Sequence, residues 1–149
     1  MEASLDNCVF CKIVRGEIPA TVVYQDERTI VFMDIGSVNP GHMLVAAKPH
    51  VENLQGMDGE LAGAMFRSAA RAAKAIETVF KPAGISVYQA NGAAAGQTVF
   101  HAHIHVLSDA APPALHERGE HTDGGEHAGS HVTDREAGTR GQRVALVAR

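Results

Sequence analysis

No cluster of lysine or arginine runs through this chain of 149 residues, and no apolar stretch approaches the length of a membrane-crossing helix. Acidic residues outnumber basic ones, 17 to 13, for a net charge of -4 with histidine neutral. This balance argues against long nucleic acid as a partner. The N-terminus "MEASLDNCVF" has neither a basic region nor a long apolar run, so we expect a cytoplasmic protein without a membrane partner. The two cysteines should then be reduced thiols or metal ligands.

The composition predicts one folded domain and a tail of a different kind. Hydrophobic residues make up 45% of the chain, which is ordinary for a globular protein. Residues 108–149 are rich in glycine, histidine and charge, with few large apolar side chains, so we predict a domain over 1–107 and a flexible tail over 108–149. The tail histidines can bind metal, although a solvated low-complexity segment is the simpler interpretation. They are His116, His121, His127 and His131.

Local patterns predict an α+β domain with a mainly antiparallel sheet. "DNCVFCKIVRGEIPA" is typical of a short helix that Asp6 or Asn7 caps and that Gly16 and Pro19 end. "TVVYQ", "TIVFMDI", "HMLVAAK" and "ISVYQA" have the character of strands. Over residues 58–80 apolar side chains recur at helical spacing, which predicts one long helix that "KPAG" ends.

Three histidines, His101, His103 and His105, recur at two-residue spacing in the apolar run "VFHAHIHVL". In a strand they share one face, with the intervening apolar residues on the other. Neutral imidazole is a nucleophile, a proton carrier and a metal ligand. Two interpretations stay open: a three-nitrogen catalytic zinc site, or nucleophilic catalysis in which the central imidazole attacks. Three histidines in register disfavour a purely structural role for the set.

The segment "NGAAAGQT" precedes these histidines. Its glycines let backbone N–H groups approach an anion, and the side chains of Gln97 and Thr98 can donate to phosphate oxygens. An ordinary flexible connection explains the glycines equally well when the loop is taken alone. Beside the histidines, the loop favours a phosphate site.

"HAHIHVL" fits the histidine triad pattern and resembles the HIT superfamily of nucleotidyl hydrolases and transferases. The longer segments from "CVFCKIV" to "HVENL" and from "NGAAAGQ" to "HIHVL" are also similar to bacterial HIT proteins, so the resemblance spans residues 6–107. It implies a HIT-like α+β fold with a five-stranded, mainly antiparallel sheet, one long helix and a short N-terminal helix. It also implies a homodimer with the long helix at the interface. Four small residues of this helix would permit close approach there, although they suit packing within the chain equally well: Ala62, Ala69, Ala70 and Ala73.

The resemblance implies a hydrolase that cleaves at the α-phosphate of purine nucleoside phosphoramidates, or of dinucleoside polyphosphates. By this matching, His103 attacks phosphorus and forms a covalent nucleotidyl-histidine, which water hydrolyses to a nucleoside monophosphate. His105 would contact the phosphate oxygens, and Gln97 and Thr98 the phosphate and the leaving group. A backbone carbonyl or a carboxylate should hold His103 with its free nitrogen toward phosphorus.

For the nucleoside, the same resemblance implies that Asp34 binds the ribose hydroxyls and that Asn91 helps to hold the active-site loop and the phosphate. An apolar cleft would surround the base, although its residues are equally typical of an ordinary core. These residues are Val9, Phe10, Ile13, Phe32 and Ile35.

Cys8 and Cys11 form a C-x2-C pair, which by itself can be half of a zinc site, a redox pair or two buried thiols. The resemblance implies a structural zinc bound by this pair together with His50 and His101, and no organic cofactor. Without zinc, His50 and His101 would pair by hydrogen bonding.

Two other functions stay open. One is a purine-nucleotide-binding signalling module with little turnover, and the other is a metal-dependent enzyme with His101, His103 and His105 as ligands. The chain departs from the HIT pattern after the triad, where "LSDAAPP" leads into the polar tail. This departure leaves the leaving group open.

Overall fold

The computed structural model describes residues 5–36 and 39–109, and it confirms the α+β fold. Five strands form one antiparallel sheet in the order β1-β2-β3-β5-β4. They are β1 (Val22–Gln25), β2 (Thr29–Met33), β3 (Met43–Ala47), β4 (Gly84–Tyr88) and β5 (His103–Asp109). The helices are α1 (Val9–Val14) and α2 (Gly59–Phe80), and three single 3-10 turns span Leu5–Asn7, Leu54–Gly56 and Ala93–Ala95. Strand β5 continues two residues past 107, and the tail histidines lie outside the described residues.

The two helices lie against opposite faces of the sheet, because alternate residues of each strand point to opposite sides. One core cluster joins α2 to Val45, Ile104 and Val106. The second joins α1 to Phe32 and Leu44. His103 and His105 of β5 therefore face α1. The apolar residues that alternate with them, Ile104 and Val106, face α2, as the sequence pattern predicts.

The long helix α2 begins at an N-cap, Asp58, whose carboxylate accepts a hydrogen bond from the Leu61 amide at 2.7 Å. It ends at Lys81, which adopts a left-handed conformation with φ 47° and ψ 51°. Of the four alanines predicted at a dimer interface, Ala69 faces the sheet at 2% exposure, whereas Ala70 is exposed. Among the described helices, none combines the length and the hydropathy that crossing a bilayer requires.

The N-terminus of α1 differs from its prediction. Asp6 and Asn7 lie in a separate 3-10 turn, and the N-cap is Cys8, whose side chain makes no capping hydrogen bond. The thiol instead points toward His101, with 3.3 Å between Sγ and Nδ1. The extra turn thus removes both polar residues from the cap position and leaves a cysteine there.

Candidate active site

The register of the central strands assembles the site on the α1 face of the sheet. On β5, His103 pairs with Ala46 and His105 pairs with Leu44 of β3. Two residues before Leu44, His42 points to the same side. The ladder continues past β2, since the Asp34 amide donates to the His42 carbonyl at 2.9 Å. Four polar side chains from three strands and their ends thus share one surface.

His103 is held by the main chain of its own strand. Its Nδ1 lies 2.7 Å from the backbone oxygen of His101. Because a carbonyl only accepts, Nδ1 carries the proton and Nε2 keeps a lone pair. Burial lowers the pKa of His103, an effect that the hydrogen bond to His101 and the charge of Asp34 oppose. The ring packs edge-on against Phe10 with 5.0 Å between centroids, so His103 presents a neutral, oriented nitrogen.

His105 lies between two other rings. Its Nδ1 is 3.1 Å from Nε2 of His42. The Tyr88 ring stacks on it, with centroids 4.4 Å apart and planes inclined by 11°. Burial, followed by the charges of His103 and His42, lowers the pKa of His105 to about 3. This ring is therefore neutral near pH 7.

Asp34 and His42 complete a line of contacts that ends at His105. His42 Nδ1 lies 3.3 Å from Asp34 Oδ2, and Asp34 Oδ1 accepts from the Gly36 amide at 2.9 Å. The Asp34 side chain is 2% exposed. Burial lowers the pKa of His42, and the charge of Asp34 opposes this shift. A ribose hydroxyl at Asp34 would share these oxygens with His42 and Gly36.

Sequence reasoning missed His42 and Tyr88. The signal for His42 was available, because it is the one titratable residue in the apolar run "HMLVAA" and stands two and four residues before Leu44 and Ala46. Its partner is 63 positions away, which no local pattern specifies. Tyr88 gave no such signal, since an aromatic residue in a strand is ordinary.

The loop before the triad is braced by Gln97, which is 5% exposed. Gln97 Oε1 accepts from the Gly92 amide at 2.7 Å, and Nε2 donates to the carbonyls of Glu52 at 2.6 Å and Val99 at 3.1 Å. Both amide hydrogens are thus used within the protein. Gly92 itself has φ +91°, a conformation that glycine adopts without strain.

Two other polar residues of this region differ in their surroundings. Asn91 Oδ1 accepts from the Leu54 amide at 2.7 Å and from Gln89 Nε2 at 3.2 Å. Asn91 therefore ties the loop to the segment before α2. Thr98 is exposed, so its hydroxyl is accessible to a ligand.

The five residues predicted around the base divide by burial. Phe10, Ile13 and Phe32 are 1%, 4% and 0% exposed and belong to the core cluster against α1. Val9 is half-buried at its margin. Ile35 is 38% exposed. Phe10, Ile13 and Phe32 are therefore core residues under the site, whereas the side chains of Val9 and Ile35 are accessible at the protein surface.

Four side chains gather beside the triad, and these are Cys8, Cys11, His50 and His101. Their ligand atoms all lie within 4.8 Å of one another. The Sγ to Nδ1 distances are 3.3 Å for Cys8 and His101, 3.3 Å for Cys11 and His50, and 3.5 Å for Cys11 and His101. The two Nδ1 atoms are 3.2 Å apart. Tetrahedral zinc, with bonds of about 2.3 Å to sulfur and 2.0–2.1 Å to nitrogen, separates such atoms by about 3.3–3.6 Å.

The protonation of the cluster also fits a metal. His101 Nε2 donates to the Ala47 carbonyl at 2.7 Å, so the lone pair of Nδ1 faces the two sulfurs. Burial lowers the pKa of His101 to about 4. Burial, with Cys8 beside it, raises the pKa of the Cys11 thiol to about 11. A thiolate in this position needs a cation next to it, which a bound metal provides.

Comparison with known proteins agrees with the geometry. A sequence model of the HIT domain matches residues 15–111. The protein named "Protein hit" of Bacillus subtilis (strain 168) is 44% identical over 102 residues, which cover 68% of this chain and 70% of that protein.

Two further similarities concern activity and metal. Adenylylsulfatase HINT3 of Arabidopsis thaliana is 34% identical over 102 residues, or 68% of this chain and 52% of that protein. The crystal structure of a zinc-bound histidine triad family protein from Mycobacterium smegmatis superposes with a TM-score of 0.69 at 35% identity. That match covers 74% of this chain and 80% of the other.

Proposed function

Because the chain belongs to the HIT family, we propose that it is a nucleotidyl hydrolase acting through a covalent nucleotidyl-histidine. Its substrates would be purine nucleoside phosphoramidates or, second, dinucleoside polyphosphates, and its product a nucleoside monophosphate. The observation that carries the proposal is the hydrogen bond from His103 Nδ1 to the His101 backbone oxygen, 2.7 Å long. This bond leaves Nε2 as the nucleophilic atom.

The reaction proceeds in two displacements at the same phosphorus. His103 Nε2 attacks the α-phosphorus, the bond to the leaving group breaks, and the leaving group takes up a proton. Water then attacks the phosphorus, the bond to Nε2 breaks, and the monophosphate leaves. Splitting one displacement into two lowers each barrier. His105 contacts the phosphoryl group, since its ring centroid lies 4.9 Å from that of His103.

The phosphate and nucleoside would occupy the surface above the triad. The exposed hydroxyl of Thr98 donates to phosphate or to the leaving group, and Gln97 and Asn91 hold the loop that carries it. The base lies against Val9 and Ile35, over the buried rings of Phe10 and Phe32. A mainly apolar cleft of this kind selects weakly among purines. Asp34 is the predicted contact for the ribose.

Zinc is proposed at the cluster of Cys8, Cys11, His50 and His101, where the donor set and its spacing fit tetrahedral coordination. Bound zinc would hold α1 against the end of β5 and stabilise the fold. His101 uses Nδ1 toward the sulfurs and Nε2 toward Ala47. It therefore has no ring nitrogen left for a metal shared with His103 and His105, which disfavours the metal-dependent alternative.

We propose a homodimer that uses the outward side of α2 and the edge strand β4. Apolar side chains are exposed on both: Phe66 at 56% and Val79 at 70% on α2, and Val87 at 42% on β4. An edge strand also offers backbone groups to a partner. Light scattering during size-exclusion chromatography should give a molar mass twice that of one chain. A Phe66→Glu substitution should reduce this molar mass toward that of one chain. A wild-type mass of one chain would refute the dimer.

The test of the activity is AMP release from adenosine 5′-phosphoramidate by the wild type and by His103→Ala. We expect turnover by the wild type and a loss of at least about 10³-fold in the variant, because the covalent route needs this imidazole. As a control for folding and for the binding site, calorimetric titration should show that the wild type and His103→Ala both bind AMP. Binding without turnover by the wild type would favour a nucleotide-binding module. Undiminished turnover by His103→Ala would exclude His103 as the nucleophile.

A further inference from the structure

Asp34, His42 and His105 form a continuous buried line from the end of β2 to the reactive surface. The Asp34 carboxylate is 3.3 Å from His42 Nδ1, and His42 Nε2 is 3.1 Å from His105 Nδ1. The three residues are 7%, 4% and 2% exposed. Water is thus largely excluded from the contacts, and each proton along the line must be shared between these groups.

The carboxylate determines where these protons lie. A carboxylate oxygen accepts only, so the proton of His42 lies on Nδ1 and its Nε2 has a lone pair. That lone pair requires a proton on Nδ1 of His105. In the resting state, His105 Nε2 consequently has a lone pair, as does His103 Nε2. The site then offers two acceptors and no imidazole donor to an anionic phosphoryl group.

Cleavage of a phosphoramidate needs a proton donor next to the leaving amine. An amine is a poor leaving group unless its nitrogen receives a proton as the bond to phosphorus breaks. A proton added at Nε2 of His105 would make a buried imidazolium without an adjacent carboxylate. Passing the proton of His105 Nδ1 to His42 Nε2 instead places the positive charge on His42, 3.3 Å from Asp34. The adjacent carboxylate offsets part of the desolvation penalty of this buried charge.

We propose that Asp34 acts through His42 as a positioning residue, making His105 the acid that protonates the leaving group. This inference rests on the proposed nucleotidyl-histidine route. As the substrate binds, the line takes up one proton from solvent, which leaves His105 neutral with N–H at Nε2 and His42 positive beside Asp34. As His103 attacks, the bond from phosphorus to the amine breaks and the amine takes the proton of Nε2. His105 recovers the proton of His42 at Nδ1. The attacking water later gives one proton to Nε2, and this proton returns to solvent as the monophosphate leaves.

The first test needs no substrate and uses the long-range ¹H–¹⁵N spectrum of the imidazoles. In the wild type, the neutral form of His105 should have its proton on Nδ1. In Asp34→Asn, the side-chain oxygen stays with the Gly36 amide and the NH₂ group faces His42. The His105 proton should move to Nε2. An Nε2 proton in the unliganded wild type would overturn the proposal, whether or not the protein is an enzyme.

The second test separates proton donation from sugar binding. We expect Asp34→Asn to lower kcat/KM by about 10²-fold or more for an AMP phosphoramidate of propylamine. For the p-nitrophenyl ester of AMP, whose leaving group needs no proton, the loss should be less than about tenfold. The same contrast should hold with 2′,3′-dideoxyadenosine substrates. A loss confined to substrates with ribose hydroxyls would instead assign Asp34 to the sugar and refute the proposal.

Controls distinguish this role from a structural one. His42→Phe should show the same dependence on the leaving group, and the double variant should be no worse than either single variant. Asp26→Asn is the matched control, since Asp26 accepts amide hydrogen bonds from Arg28 and Thr29 in the turn between β1 and β2. Asp26→Asn should lower the thermal midpoint of unfolding, but its effect on kcat/KM should be the same for both leaving groups. Equal losses for both leaving groups in Asp34→Asn would overturn the proposal, and a wild type inactive on both would refute the proposed function.

Discussion

His101 supplies the backbone oxygen that accepts from His103 Nδ1 at 2.7 Å. The His101 side chain at the same time closes the cluster with Cys8, Cys11 and His50. One residue therefore belongs to both sites, its peptide group to the nucleophile and its ring to the proposed metal. The adjoining peptide is fixed as well, because the Ala102 amide donates to the Val51 carbonyl at 2.6 Å.

Metal removal should lower stability because ligand binding to the folded state alone adds to the free energy of unfolding. Free zinc at 1,000 times its dissociation constant contributes about 4 kcal/mol. We expect about one zinc per chain by elemental analysis, and loss of zinc with a lower thermal midpoint in Cys11→Ser. His105→Gln is the control that should keep its zinc. A wild type purified without zinc, whose midpoint added zinc does not raise, would contradict the assignment.

Acid should destabilise the protein partly through His105. The pKa of His105 is about 3 in the fold, against an ordinary value of about 6.5 in the unfolded chain. Between these values the unfolded chain binds a proton that the folded chain does not, so stability falls as pH decreases below about 6.5. The slope is at most about 1.4 kcal/mol per pH unit for one such histidine. Urea unfolding at pH 7.5 and 5.5 should show a smaller drop for His105→Gln than for the wild type, and equal drops would contradict this expectation.

Replacing Gln97 should loosen the loop, whereas replacing its neighbour should not. Gln97→Ala removes the hydrogen bonds to the Gly92 amide and the Glu52 carbonyl, each of which contributes about 0.5–1.5 kcal/mol net. Thr98 is exposed, so Thr98→Ala should keep its stability and raise KM through a lost ligand contact. Urea unfolding and hydrogen exchange at the Gly92 amide measure the difference. A Gln97→Ala protein with wild-type exchange at Gly92 would disagree with the bracing role.

Gly41 should resist substitution for two separable reasons. It has φ +77°, and a Cβ atom there would lie 2.5 Å from Cε2 of Phe80. Backbone strain in the left-handed region contributes about 1–3 kcal/mol, and the ring contact adds to it. Gly41→Ala should therefore be destabilised in urea, and Phe80→Ala in the same chain should recover only the part due to the ring. Full recovery, or none, would show that one of the two causes is absent.

Periodicity predicted the sheet, α2 and the common face of His103 and His105, because alternation and helical spacing are local properties. The resemblance predicted the four metal-site residues that the fold brings together. His42 escaped prediction because its importance arises from β3 pairing between β2 and β5. The support that Gln97 gives to its loop was also invisible, since its acceptors at Glu52 and Val99 depend on how the loop closes.

Helix α1 contains only six residues, yet Phe10 packs its ring against both His103 and Phe32. The family match begins at residue 15, just after this helix ends. The packed core therefore begins before the boundary that sequence similarity recognises. A shortened chain starting at residue 15 would lack α1, so the face of the sheet that carries His103 would be uncovered. It would also lack Cys8, Cys11 and the ring of Phe10 that packs against His103.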